Sequence, residues 1–219
     1  VVSPHAVRRL RKLGETALEA GDHDTAEKIL KQVVSKAKYS EFKDPQDHVR
    51  LVQTLVRKGD PVQAAAVIRD LDKSMAFQKH TPLCSAIASS LVHEYTGNEA
   101  RLAESLTTAL AASKDAPDLR PDIKLELART CIENGMEEGA AEVVRDVMRN
   151  AQNGAAVARA MAVFENAGQA EMAQKLAMES RQQVVDLVAT GAAKAKSGDY
   201  KAAVVLMQEA ATKLPDNPQ

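Results

Sequence analysis

Apolar positions recur at helical spacing along the whole chain, and a glycine interrupts the pattern at near-regular intervals. Val7, Leu10, Leu13 (or Gly14), Ala17 and Leu18 form one stripe, which ends at Gly21-Asp22. Ala26, Ile29, Leu30, Val33 and Val34 form the next, ending near Tyr39-Ser40. Ser3-Pro4 predicts the first helix start, with Ser3 as N-cap and proline at the first helical position, where its missing N–H costs nothing. Asp44-Pro45, Thr81-Pro82 and Arg120-Pro121 open later pairs in a similar way. These are turned at Gly59-Asp60-Pro61, Gly97-Asn98 and Gly135; the last two turns fall at Gly168 and Gly198. Asp60 is placed to cap the helix that Pro61 enters.

The register of these turns carries more information than any single helix. Gly21, Gly59, Gly97 and Gly135 follow one another every 38 residues, and the next two intervals are 33 and 30. Five residues after the glycine stands Ala26, Ala64, Ala140, Ala173 and Ala203, with Leu102 taking that place in the third unit. Seven residues before it stands Gly14, Ser90, Ala128 and Gly191, but Val52 and Met161 in the second and fifth units. A small residue at each helix crossing lets two backbones approach closely. Such a hairpin cannot bury its apolar face alone, so stacking on its neighbours is expected. The prediction is an all-α chain of about six antiparallel helix hairpins, at 4–40, 44–77, 81–115, 120–152, 154–182 and 183–216, in one domain over 1–219. Between Gly168 and Gly191 no Gly or Pro intervenes. A short turn at Arg181-Gln182-Gln183 is the expectation there, and one unbroken rod from Met172 to Lys194 is the alternative.

Composition narrows the function classes. Hydrophobic residues make up 45% but aromatics only 3%, with no Trp, so small aliphatic side chains must fill the core, as close helix packing allows. A net charge of -1 leaves no overall electrostatic footprint for nucleic acid or an anionic membrane. Cys84 and Cys131 form no metal-binding pair and suggest a reducing, cytoplasmic setting. The chain opens on Val1 rather than Met and is read as part of a longer protein.

The sequence carries no recognisable catalytic motif. His5, His23, His48, His80 and His93 are scattered over different units, and His93-Glu94 lacks the second histidine of a metalloprotease helix. Glu137/Glu138 and Asp118/Asp122 stand at helix starts, where carboxylates offset the helix dipole. No catalytic residue, metal or cofactor is expected, and the chain is read as non-enzymatic. The run Arg8-Arg9-Leu10-Arg11-Lys12 is the one concentrated charge cluster, and it has no interleaved aromatics of the kind that stack on RNA bases.

Gly191 to Pro215, with its small residue, Gly198-Asp199-Tyr200, Ala203 and Pro215, resembles a tetratricopeptide (TPR) repeat; the first unit matches at Gly14, Gly21 and Ala26. The middle units match at the turn and, apart from the third, at the alanine after it. Tyr39 to His48, followed by Gly191 to Pro218, is also similar to the TPR output region of some bacterial response regulators, in which a receiver domain precedes the repeats. The resemblance implies a right-handed superhelical solenoid whose first helices line a groove. The residues facing it would be Arg11, Glu15, Val49, Gln53, Val56, Ile87, Leu91, Glu94, Leu125, Arg129 and Ile132. An apolar strip with a charged rim suits a peptide or partner helix. The family's carboxylate clamp is not expected, because Glu15 stands beside Arg11 where that clamp needs an uncharged partner. A helical-repeat RNA binder would need basic groove residues once per repeat, which Gln53 and Leu91 do not supply. The last helix carries Val204, Val205 and Met207 with no capping helix in view, so self-association through it is the structural alternative.

Overall fold

The computed structural model describes residues 3–37, 43–151 and 154–213, and these are all-α, with no strand among them. The Tyr39–Phe42 part of the response-regulator likeness and the Leu214–Pro218 end lie outside the described residues. Eleven helices are described: α1 Pro4–Glu19, α2 His23–Ala37, α3 Pro45–Arg57, α4 Pro61–Ser74, α5 Thr81–Thr96, α6 Glu99–Ser113, α7 Pro121–Glu133, α8 Glu137–Arg149, α9 Gly154–Asn166, α10 Ala170–Lys196 and α11 Tyr200–Lys213. The chain divides into two compact units, Val1–Ile123 and Lys124–Gln219, with the division inside α7.

The periodic glycines mark one repeated turn. Gly21, Gly59, Gly97, Gly135, Gly168 and Gly198 all have φ between 68° and 85°, which a side chain would strain. At each, the glycine N–H donates to the carbonyl three residues back and the next residue's N–H to the one five back. Gly21 bonds to Leu18 at 3.1 Å and Asp22 to Ala17 at 2.9 Å; Gly198 bonds to Ala195 at 3.1 Å and Asp199 to Lys194 at 3.0 Å. This is the Schellman closure, which satisfies carbonyls that a helix end leaves open. The next helix is then capped from the turn: the carboxylates of Asp22, Asp60 and Asp199 accept from the backbone N–H groups of Thr25, Gln63 and Ala202. Ser3 occupies the N-cap position of α1, but its side chain makes no capping bond.

In the first unit α1 packs on α2, α2 on α3, α3 on α4 and α5, α4 on α5, and α5 on α6. Ala26 and Ala64 are completely buried at the crossings. At Gly14 the helices approach closely: a Cβ there would meet Leu30 Cδ2 at 2.9 Å, so the buried Leu30 side chain would have to shift. Helix α3 is enclosed on every face: each residue from Pro45 to Leu55 is buried, including Gln46, Asp47, His48, Arg50, Gln53 and Thr54.

In the second unit α8 packs on α9, α9 on α10, and α10 on α11. Phe164, Leu176 and Ala140 are fully buried, and Ala173 and Ala203 nearly so. The turn expected at Arg181–Gln183 is absent, because α10 runs unbroken for 27 residues. The expected fifth and sixth units therefore share one rod and do not end at residue 182. Arg, Gln and Gln are good helix formers, and no residue there removes a backbone donor.

Candidate protein-docking surface

Several of the residues expected to line a groove are interior instead. Val49 and Ile87 are fully buried, Gln53 and Leu91 are 3% exposed, and Ile132 is 6% exposed. Val56, Glu94, Leu125 and Arg129 are half-buried. Arg129 pairs along its own helix with Glu126 at 3.0 Å and with Glu133.

Arg11 and Glu15 belong to an ion cluster that occupies the first-helix face of the first unit. Arg11 donates from Nε and Nη2 to the two carboxylate oxygens of Asp47, both at 2.7 Å. Arg120 donates to Glu15 at 2.9 Å and to Asp47 at 3.4 Å, and its backbone N–H donates to the Gln46 side chain at 2.7 Å. Arg50 donates to Gln53 at 2.6 Å and pairs with Asp122. The segment from Arg120 to Asp122 thus lies on the face where a ligand peptide was expected. Burial, chiefly, raises the Glu15 carboxyl above the ordinary carboxylate range, and Arg120 opposes that shift. No spacing rule marks Asp47, Arg50 or Arg120 in the sequence, since their partners on other elements stand 36 to 105 residues apart.

The cysteines and one histidine lie in the interior. Cys84 and Cys131 are fully buried and form no disulfide, and desolvation pushes the Cys84 thiol far above the ordinary thiol range. Neither is expected to react with a soluble thiol reagent until the chain unfolds, which a reagent titration before and after urea would check. His48 is also buried, and neither ring nitrogen has a hydrogen-bond partner. Asp70 lies 3.8 Å away, beyond hydrogen-bond reach. Burial pushes the His48 imidazole below its usual 6.5. The unfolded chain therefore binds the proton more readily, so stability is full above about pH 6.5 and declines as the pH falls through the folded-state value. His48→Leu should flatten that decline, read as the urea midpoint on either side of pH 6.5.

Among the described residues there is no group of three potential metal ligands and no helix long and apolar enough to cross a membrane. Arg8, Arg9 and Lys12 of the basic run are exposed on α1.

The surface that stands out is on the hairpin of α10 and α11. Ala203 and Ala210 face α10 and are buried, yet Tyr200 is 70%, Val204 54% and Met207 38% exposed on the neighbouring face. Gly191 lies under Met207, where a Cβ would come within 3.2 Å of the methionine Cε. Together Gly191, Ala195, Tyr200, Val204, Met207 and Ala211 line an open depression that contains no charged side chain. Met178, Val185 and Val188 add exposed apolar area along α10. Comparison with protein-family models, curated proteins and solved structures returns no match, so the functional reading rests on this geometry.

Proposed function

We propose that this chain is a non-catalytic, TPR-like helical-repeat scaffold that docks a further polypeptide chain on the apolar face of its α10–α11 hairpin. The observation that carries the reading is the set of large apolar side chains exposed on one uncharged face, with Tyr200, Val204 and Met207 at its centre. A soluble chain exposes single apolar residues freely, but a contiguous patch is a liability unless something covers it. Six identical Schellman turns and the buried alanines after five of them support stacked hairpins, wound as a right-handed solenoid, as the architecture. The likeness to response-regulator output regions makes bacterial cytoplasmic signalling the proposed setting, and a receiver domain upstream in the parent gene would test that part.

Docking is tested by affinity capture with the intact chain, with Met207→Glu, and with Val62→Glu as control. Val62 is 78% exposed on α4, in the other compact unit. Partners should be lost with Met207→Glu and kept with Val62→Glu. Equal capture by all three would refute the α10–α11 face as the docking surface.

A further inference from the structure

We infer that the occupant of the α10–α11 face is a second copy of this chain, paired antiparallel through α11. The inference rests on the docking reading above and names the partner of that same surface.

Tyr200, Val204, Met207 and Ala211 are spaced four, three and four residues apart. That is the spacing of a helix seam that packs against another helix. The series is symmetric about its own midpoint, between residues 205 and 206. A two-fold axis through that point, perpendicular to α11, sets Tyr200 against Ala211 of the second copy and Val204 against Met207 of the second copy. Each large side chain meets a smaller or more adaptable one, and every contact occurs twice. This is the self-complementarity a closed two-fold interface requires.

Charge points the same way. The depression has no charged side chain, so a partner presenting charge there would lose hydration without finding a counter-ion. The same uncharged face on a second copy brings no such loss. At the edge of the seam Lys201 is exposed. In the antiparallel arrangement it lies beside the last turn of the second copy's α11, the negative end of that helix's dipole. Parallel pairing would set Lys201 against Lys201 and Tyr200 against Tyr200.

The test is sedimentation velocity of the intact chain over a wide concentration range, beside Val204→Glu and disulfide trapping. Val204 is exposed, so Val204→Glu should leave the helical content unchanged while raising the dimer dissociation constant at least about tenfold. Tyr200→Cys mixed with Ala211→Cys should give a mixed disulfide, whereas Tyr200→Cys alone should give none; the native thiols are buried and stay silent. A chain that remains monomeric throughout, or a Tyr200→Cys that cross-links to itself, overturns the proposal. If the chain is monomeric yet Met207→Glu still abolishes capture of other proteins, the second copy fails as occupant and the docking reading stands. If neither assembly nor capture responds to substitution on this face, both fail together.

Discussion

Asp47→Ala is expected to destabilise the first unit by about 3 kcal/mol, the lower end of the range for breaking a buried ion pair. The Asp47 side chain is 2% exposed and is the common acceptor for Arg11 and Arg120. Without it, among the described residues, Arg11 is left with Asp44 at 3.8 Å and the field of Glu15, and Arg120 with Glu15 at 2.9 Å. Truncation takes from the Arg11 guanidinium the hydrogen bond and field that hold its pKa raised despite burial. The cost stays near the lower end because Arg11 and Arg120 are 21% and 20% exposed, so water reaches them in part. Urea unfolding followed by circular dichroism would read the change directly. A double-mutant cycle with Arg11→Met should show a large coupling, since truncating both partners removes the orphaned charge. An unchanged midpoint for Asp47→Ala would mean that the cluster does not hold α1, α3 and the Arg120 segment together.

Glu15→Gln provides a contrast within the same cluster. Glu15 is 29% exposed, and burial works against its charge even with Arg120 nearby. Neutralising it removes an unfavourable desolvation along with a favourable pair, so its effect should be much smaller than that of Asp47→Ala. One acceptor organises the cluster and the other closes its edge.

How much of this was legible in the sequence depended on whether the cause was local. The six glycine turns were legible because a helix end that needs positive φ selects glycine, whatever lies around it. Ala26, Ala64 and Ala140 were legible because a close helix crossing excludes larger side chains at a fixed register. The exposed Val204, Val205 and Met207 could also be read, since the apolar stripe on α11 is wider than α10 alone can cover. The groove could not. Val49, Gln53, Ile87 and Leu91 have the spacing of a groove wall, but the same spacing serves a helix enclosed on all sides. Only the distant partners of Arg50 and Asp47 distinguish the two cases, and residue spacing along one helix does not record them. The long α10 was obscured for the opposite reason: its sequence offers no break, and the expected turn came from the analogy with ordinary repeats.

That difference can be measured at Gln183. Gln183→Pro should destabilise the second unit by about 3 kcal/mol or more, because proline inside a helix loses one backbone hydrogen bond and its ring collides with the carbonyl four residues back. That carbonyl belongs to Glu179, whose carboxylate takes two hydrogen bonds from Arg145 of α8, at 2.6 and 3.1 Å. A kink there would disturb the pairing of α10 with α8 as well as the rod itself. Gln183 is exposed, so Gln183→Ala should change little and serves to separate backbone from side-chain effects. The readout is helical circular dichroism together with the thermal midpoint of the intact chain. A proline tolerated at 183 without loss of helicity would restore the turn at Arg181–Gln183 and divide α10 into two helices. A large loss confined to the proline variant would establish that one rod carries the α11 hairpin, and that the orientation of the docking face is set by the stiffness of α10.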